Sequence, residues 1–165
     1  MPNFLRTPHF PFVMVCVVSF GLVGGGVVLA QWLNLAACPL CIIQRMLYLL
    51  VGLTGGIGIA IATRPLGRRV TALALALIAG TGLFVAGYQV WIQRFARDTK
   101  CAVDMPWWEQ LVDWAGAQIP ILFQSNGLCS DAAWKFFGLS IAEWSLAAFC
   151  ALLGLSLRLA LRRAA

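Results

Sequence analysis

Four long stretches of this chain are almost free of charge, and they dictate the solvent in which it folds. Residues 10–32, 46–63 and 70–93 contain no charged side chain, and residues 141–157 contain one, Glu143, close to their start. Each run is near the roughly 20 residues that cross a ~30 Å hydrocarbon layer at 1.5 Å per residue. A backbone in lipid must satisfy its own polar groups, so such runs are helices. The whole chain of 165 residues is 61% hydrophobic and 11% charged. Soluble domains carry about 25% charge and about 45–50% apolar residues. No core of this size hides the excess from water, so part of the solvent is lipid. The expected fold class is an all-α membrane protein, a four-transmembrane-helix bundle forming a single integral membrane domain over residues 1–165. Its spans are expected near 10–32, 42–63, 70–93 and 140–158, with outer loops at 33–41 and 94–139.

Glycines recur along the first three spans, at Gly21, Gly24, Gly25, Gly26, Gly52, Gly55, Gly56, Gly58, Gly80, Gly82 and Gly87. Small residues let membrane helices approach closely, although glycine is frequent in such helices in any case. Leu35-Ala36-Ala37-Cys38 has the look of a lipoprotein cleavage box. The apolar run before it exceeds a signal core of 7–15 residues, only Arg6 precedes it, and lipidation would consume half of a cysteine pair.

Charge sets the orientation. Arg6, Arg64, Arg68, Arg69, Arg158, Arg162 and Arg163 fall on one side of a four-span topology, with no acid among them. The other side holds Asp98, Asp104, Glu109, Asp113, Asp131 and Glu143, together with Arg94, Arg97, Lys100 and Lys135, and Arg45 at the membrane edge. The Lys/Arg excess marks the inside, which makes both termini cytoplasmic. The basic tails are an ordinary inner flank and not a nucleic-acid patch. Four cysteines then share the outer face, Cys38 and Cys41 in the first loop and Cys101 and Cys129 in the second, where disulfides persist. Cys16 and Cys150 lie within spans and are expected to act as small hydrophobes.

The second outer loop is too long for a plain connector. Asp104 is expected to cap a helix with Pro106 in its first turn. Trp107, Trp108, Leu111, Val112, Ala115 and Ile119 recur on one face, with Glu109, Gln110 and Asp113 opposite. That pattern predicts a short amphipathic interfacial helix, ended by Ile119-Pro120. Asn126-Gly127 signals a turn before Cys129. Ser130 is expected to cap a second short helix over residues 131–137, closed by Gly138. Ser140-Ile141-Ala142-Glu143 has the pattern of a capping box for the fourth span, with Trp144 in the aromatic belt.

Four outer thiols support three chemistries. Structural zinc sites usually combine two close Cys pairs, and here only Cys38-Pro39-Leu40-Cys41 is close. Two static disulfides are a stronger alternative. Active exchange is favoured by position: the Cys-x-x-Cys pair opens the second span, where free amide groups and the helix dipole favour an anion. Arg45 lies four residues beyond Cys41 on the same helix face. A buried arginine at a helix centre costs roughly 2.5–3.5 kcal/mol, less where it snorkels at the interface. Its guanidinium is suited to holding an anion or a carbonyl at the membrane edge.

The order Cys-x-x-Cys-x-x-x-Arg at the second of four spans, followed by a two-cysteine loop, resembles the bacterial disulfide bond formation protein B (DsbB) family. Gly87-Tyr88-Gln89, Asn126-Gly127-Leu128-Cys129 and Trp134-Lys135-Phe136-Phe137-Gly138-Leu139 with Trp144 add to the resemblance, which covers nearly the whole chain. It implies a quinone-dependent thiol oxidase of the inner membrane that reoxidises a periplasmic thioredoxin-like partner of DsbA type and passes the electrons to ubiquinone or menaquinone. It further implies redox disulfides Cys38–Cys41 and Cys101–Cys129. On the implied route the partner attacks Cys101, freed Cys129 attacks Cys38, and Cys41 is left as a thiolate facing the quinone, with Arg45 and Gln44 at the cofactor. Many members carry Glu at the position of Gln44, and some carry at the position of Arg94 a histidine held to touch the quinone.

The resemblance also explains why an acceptor is required. Structural disulfides lie below about −300 mV, and the known potential of the DsbA class is near −120 mV. Oxidising such a partner with an ordinary disulfide is uphill by about 8 kcal/mol, at about 1.4 kcal/mol per 30 mV. A vitamin K epoxide reductase-like enzyme is the nearest alternative, but there the loop cysteines precede the Cys-x-x-Cys pair. A disulfide-stapled membrane scaffold without turnover is the non-enzymatic alternative.

Overall fold

The computed structural model describes residues 9–95, 106–131 and 134–161. Helix α1 covers Phe10–Trp32, α2 Pro39–Ile61 and α3 Pro65–Phe95. Two short helices follow, α4 at Trp107–Gln118 and α5 at Pro120–Phe123. A two-stranded antiparallel hairpin, β1 Lys135–Phe136 and β2 Leu139–Ser140, leads into α6 at Ile141–Leu161. Among the described residues, α1, α2, α3 and α6 are the helices long and apolar enough to cross a membrane. The molecule is the expected all-α four-span membrane protein.

The helix ends follow from local chemistry. After α1, Asn34 adopts a left-handed φ of 49°. Leu35 N donates to Ala30 O at 2.9 Å and Asn34 N to Gln31 O at 3.4 Å, the two bonds of a Schellman stop. Helix α2 begins at Pro39, earlier than expected, because proline suits the first helical position and Cys38 serves as the cap. Pro65 likewise starts α3 immediately after Arg64, so Arg68 and Arg69 lie in its first turns and not in the connecting turn. Their long side chains tolerate that position at an interface. The capping box of α6 is formed in full: Ser140 N donates to Glu143 Oε2 at 2.7 Å and Glu143 N to Ser140 Oγ at 3.3 Å.

The most extensive contacts between spans are α1 with α2, α2 with α3 and α3 with α6, and Tyr48 of α2 also reaches α6. The glycines divide accordingly. Gly52, Gly58 and Gly82 lie where a neighbouring ring leaves no room for a Cβ and Gly55 fits tightly against Val15, whereas Gly21, Gly24, Gly25, Gly26 and Gly80 have nothing within 4 Å. At Gly82 a Cβ would collide with the ring of Phe149, which is fully buried and stacked on Tyr48 at 4.1 Å. Cys16 Sγ donates to Gly52 O at 2.9 Å, so this half-buried thiol bridges α1 and α2. Gly82→Ala should therefore destabilise the α3–α6 contact by about 1–3 kcal/mol, the usual cost of overpacking. The check is thermal unfolding in detergent, in which Gly80→Ala should leave the midpoint unchanged or slightly raised.

The second loop departs from expectation in two places, the start of α4 and the segment before α6. Pro106 stands at the N-cap of α4 and not in its first turn, and Asp104 lies outside the described residues. The expected amphipathic helix is present as α4: Val112 and Ala115 face protein, while Trp107, Leu111 and Ile119 are exposed, as a helix lying on a membrane surface requires. Residues 135–140 form a hairpin where a helix closed by Gly138 was expected. Phe137 (φ 50°) and Gly138 (φ 79°) make its turn, and two successive positive φ values match the right-handed twist of paired strands. As the proline predicts, α4 ends before Pro120, with Ile119 out of helical geometry.

Candidate functional site

Three sulfurs meet at the outer end of α2. Cys38 caps that helix in an extended conformation, and its Sγ accepts from Cys41 N at 3.4 Å. One turn later, Cys41 directs its sulfur back to the cap, so Cys38 Sγ donates to Cys41 Sγ at 3.0 Å. The third sulfur arrives from the second loop. Asn126 N and Gly127 N both donate to Ala37 O at 3.0 Å, pinning the segment before Cys129 onto the first loop. Cys129 then interacts through its side chain with Cys38 and with the backbone amide of Leu40. Cys38 is buried, and Leu40, Ile92, Ile43, Val85 and Trp108 complete an apolar jacket around the cluster. Cys101 lies outside the described residues.

Electrostatics distinguish the two loop-borne sulfurs. The Cys38 thiol is held well above the ordinary cysteine range, because it donates to Cys129 and Cys41 and is buried. Cys129 is held below that range, chiefly by the Cys38 thiol that donates to it, with burial acting in the opposite direction. While Cys38 carries its proton, Cys129 is therefore the one of the two whose thiolate form is favoured.

Polar side chains line the membrane side of the cluster. Gln89 of α3 reaches both sulfurs of the pair, its Nε2 lying 3.3 Å from Cys38 Sγ and 3.1 Å from Cys41 Sγ. Gln44 Nε2 donates to Gln89 Oε1 at 2.7 Å. Arg45 Nη1 donates to Leu122 O at 3.0 Å, which ties α2 to α5, and its charge acts on both Cys38 and Cys41. Tyr48 bonds through its hydroxyl to Ser145 of α6. Cys41, Gln44, Arg45 and Tyr48 recur at i, i+3, i+4 and i+7, so they share one face of α2.

That face opens onto a cavity of about 540 Å³ between α1, α2 and α6. Its polar end is made by Cys38, Cys41, Gln44, Arg45 and Gln89, and its apolar wall includes Leu22, Gly25, Gly26 and Leu29. The volume lies within the roughly 300–1,000 Å³ typical of small-molecule sites. A flat ring with polar oxygens and an apolar tail fits this division. Arg94 does not line the cavity and instead forms an ion pair with Glu143 across α3 and α6.

The structure thus brings Cys38, Cys41, Cys129, Gln44 and Arg45 to one end of the bundle. Sequence reasoning gave no role to Gln89 or Tyr48. The available signal was polarity itself, since amides and hydroxyls inside apolar spans tend to face protein interiors and function.

The model of the family described as disulfide bond formation protein DsbB matches residues 8–159. Disulfide bond formation protein B of Dechloromonas aromatica is 37% identical over 92% of both chains. The protein of the same name from Nitrosospira multiformis is 35% identical over 99% of this chain and 97% of its own. Disulfide bond formation protein B 1 of Pseudomonas aeruginosa is 33% identical over 97% of this chain and 99% of its own. With a match that runs through all four spans and both cysteine-bearing loops, the chain belongs to the disulfide bond formation protein B family.

Proposed function

We propose that this protein takes electrons from a DsbA-type dithiol partner at Cys101 and Cys129 and delivers them through Cys38 and Cys41 to a quinone held beside Arg45. Quinone-linked thiol oxidation in support of disulfide bond formation is the function of its family, and the protein is a multi-pass protein of the inner membrane. The assignment of steps to residues rests mainly on one observation: Cys129, from a distant loop, packs against Cys38 while Cys41 faces the cavity.

The partner's thiolate attacks Cys101, forming a mixed disulfide and releasing Cys129 as a thiolate. The Cys129 thiolate attacks Cys38 Sγ; a Cys38–Cys129 bond forms, the Cys38–Cys41 bond breaks, and the electron pair goes to Cys41 Sγ. Arg45 favours negative charge there, and Ile92, Val85 and Trp108 pack around the cluster. A bound quinone supplies the two-electron acceptor, of ubiquinone or menaquinone type, with Arg45 and Gln44 among the groups that would hold it. In this reading both redox loops face the periplasm and both termini the cytoplasm, in keeping with the Lys/Arg distribution.

Purified protein mixed with quinone and an excess of reduced thioredoxin-like partner should consume quinone, one equivalent per partner disulfide formed, as read by quinone absorbance and thiol titration. An absence of consumption above the protein-free rate would remove this reading. The scaffold alternative predicts that the outer cysteines stay unreactive towards the reduced partner.

A further inference from the structure

We infer that Gln89 is a catalytic residue of the thiol relay, a two-pronged donor that stabilises the reduced Cys38–Cys41 pair, and that Gln44 is the positioning residue that aims it. The inference rests on the proposed redox role of Cys38 and Cys41 and deepens it.

Gln89 is 2% exposed, the most deeply buried of the three polar side chains, with Thr71 and Gln93, that α3 turns inward among the described residues. Burying a carboxamide there is costly unless both ends are bonded. Its oxygen accepts from Gln44 Nε2 at 2.7 Å, which fixes the amide orientation and turns the NH₂ group towards the sulfurs. An NH₂ group has two hydrogens, and two sulfurs lie within reach, at 3.1 Å and 3.3 Å. Gln44 is itself buried, at 4% exposure, so the chain from Gln44 through Gln89 to sulfur lies in surroundings that strengthen each bond.

The consequence concerns redox state. A disulfide sulfur is a weak acceptor, whereas a thiolate is a strong, charged one. When Cys129 displaces Cys41, the electron pair arrives on the sulfur 3.1 Å from Gln89 Nε2. The same two N–H groups therefore stabilise the reduced pair more than the oxidised one. They need not move to do so, which is the hallmark of preorganised electrostatic stabilisation. Gln89 thereby makes the Cys38–Cys41 disulfide a stronger oxidant of Cys129.

The test is the reduction equilibrium of the Cys38–Cys41 pair in quinone-depleted protein carrying Cys101→Ser and Cys129→Ser, titrated with dithiothreitol. In that titration the Cys38–Cys41 bond takes two electrons as dithiothreitol closes to its cyclic disulfide. Gln89→Leu should shift the equilibrium about tenfold towards the protein disulfide, about 30 mV to lower potential. Gln89→Asn, one methylene too short, should shift it in the same direction. Gln44→Leu should give a smaller shift of that sign, because it frees the amide without removing it. Gly82→Ala, which loosens α3 against α6 without touching sulfur, should leave the potential unchanged and so separates this role from helix packing. A potential that is unchanged or raised in Gln89→Leu and Gln89→Asn would overturn the assignment. A background protein whose Cys38–Cys41 pair cannot be cycled at all would instead overturn the redox reading beneath it.

Discussion

Cys41→Ser should reduce quinone consumption to the rate of the protein-free mixture while leaving the fold intact. The oxygen of serine fits where the sulfur lies, and neither Pro39 at the start of α2 nor the Cys38 cap depends on the Cys41 side chain. What disappears is the leaving group. Without a Cys38–Cys41 bond, attack by Cys129 on Cys38 has no electron pair to displace into the cavity. Serine cannot substitute, since the nucleophile and leaving group in these exchanges is a thiolate. The same variant tests the geometry of the cluster. With Cys101 also replaced by serine, Cys38 and Cys129 are the two outer cysteines that remain, and their side chains are in contact. Oxidised glutathione should then close a Cys38–Cys129 disulfide, found as a linked peptide pair by mass spectrometry, with two equivalents of glutathione released. Quinone consumption driven by the partner in Cys41→Ser would refute the role of Cys41. Failure of Cys38 and Cys129 to link would refute the handover between loops.

The spans were legible because charge-free runs of this length have one physical solution in lipid. The cap of α6 was legible for a different reason: Ser140 and Glu143 satisfy each other's amides locally, whatever surrounds them. The cysteine pair at a helix N-terminus was equally readable, since Pro39 fixes the helix start beside it. What could not be read depends on distant parts of the chain. Nothing near Gln89 says that it meets sulfurs about fifty positions earlier, because several faces of α3 are apolar enough to be the buried one. The hairpin at residues 135–140 was misread as helix because Gly138 suits a helix stop as well as a two-residue turn. Tertiary contacts decided it: Trp144 Nε1 donates to Phe136 O at 3.1 Å, and Trp134 stacks on Phe136 at 5.7 Å. In the same way, nothing in the sequence near Arg94 says that its charge is committed to Glu143 of α6.

Gly127→Ala should slow partner-driven turnover about 100-fold and leave dithiothreitol-driven quinone reduction near its normal rate. In the sequence Asn126-Gly127 signals a turn, but the structure gives the glycine a more demanding task. Its φ is not left-handed, so alanine is conformationally acceptable there. A Cβ at this position, however, would lie 2.5 Å from the carbonyl oxygen of Ala36 and 3.0 Å from its carbon, both backbone atoms of the first loop. Backbone cannot swing aside as a side chain can, so the two loops must separate. Separation strains the bonds from Asn126 N and Gly127 N to Ala37 O and draws Cys129, two residues on, away from Cys38. A misplacement of about 1 Å between reacting groups costs on the order of 100-fold in rate. The Cys38–Cys41 pair, by contrast, is set chiefly by the first turn of α2 and by Gln89 of α3. A small dithiol that attacks Cys38 directly therefore bypasses the damage. Stopped-flow quinone absorbance with the two reductants in parallel measures both rates. Equal losses with both would mean that the loop serves the cavity and not the handover, and no loss with either would mean that Cys129 does not need this docking to reach Cys38.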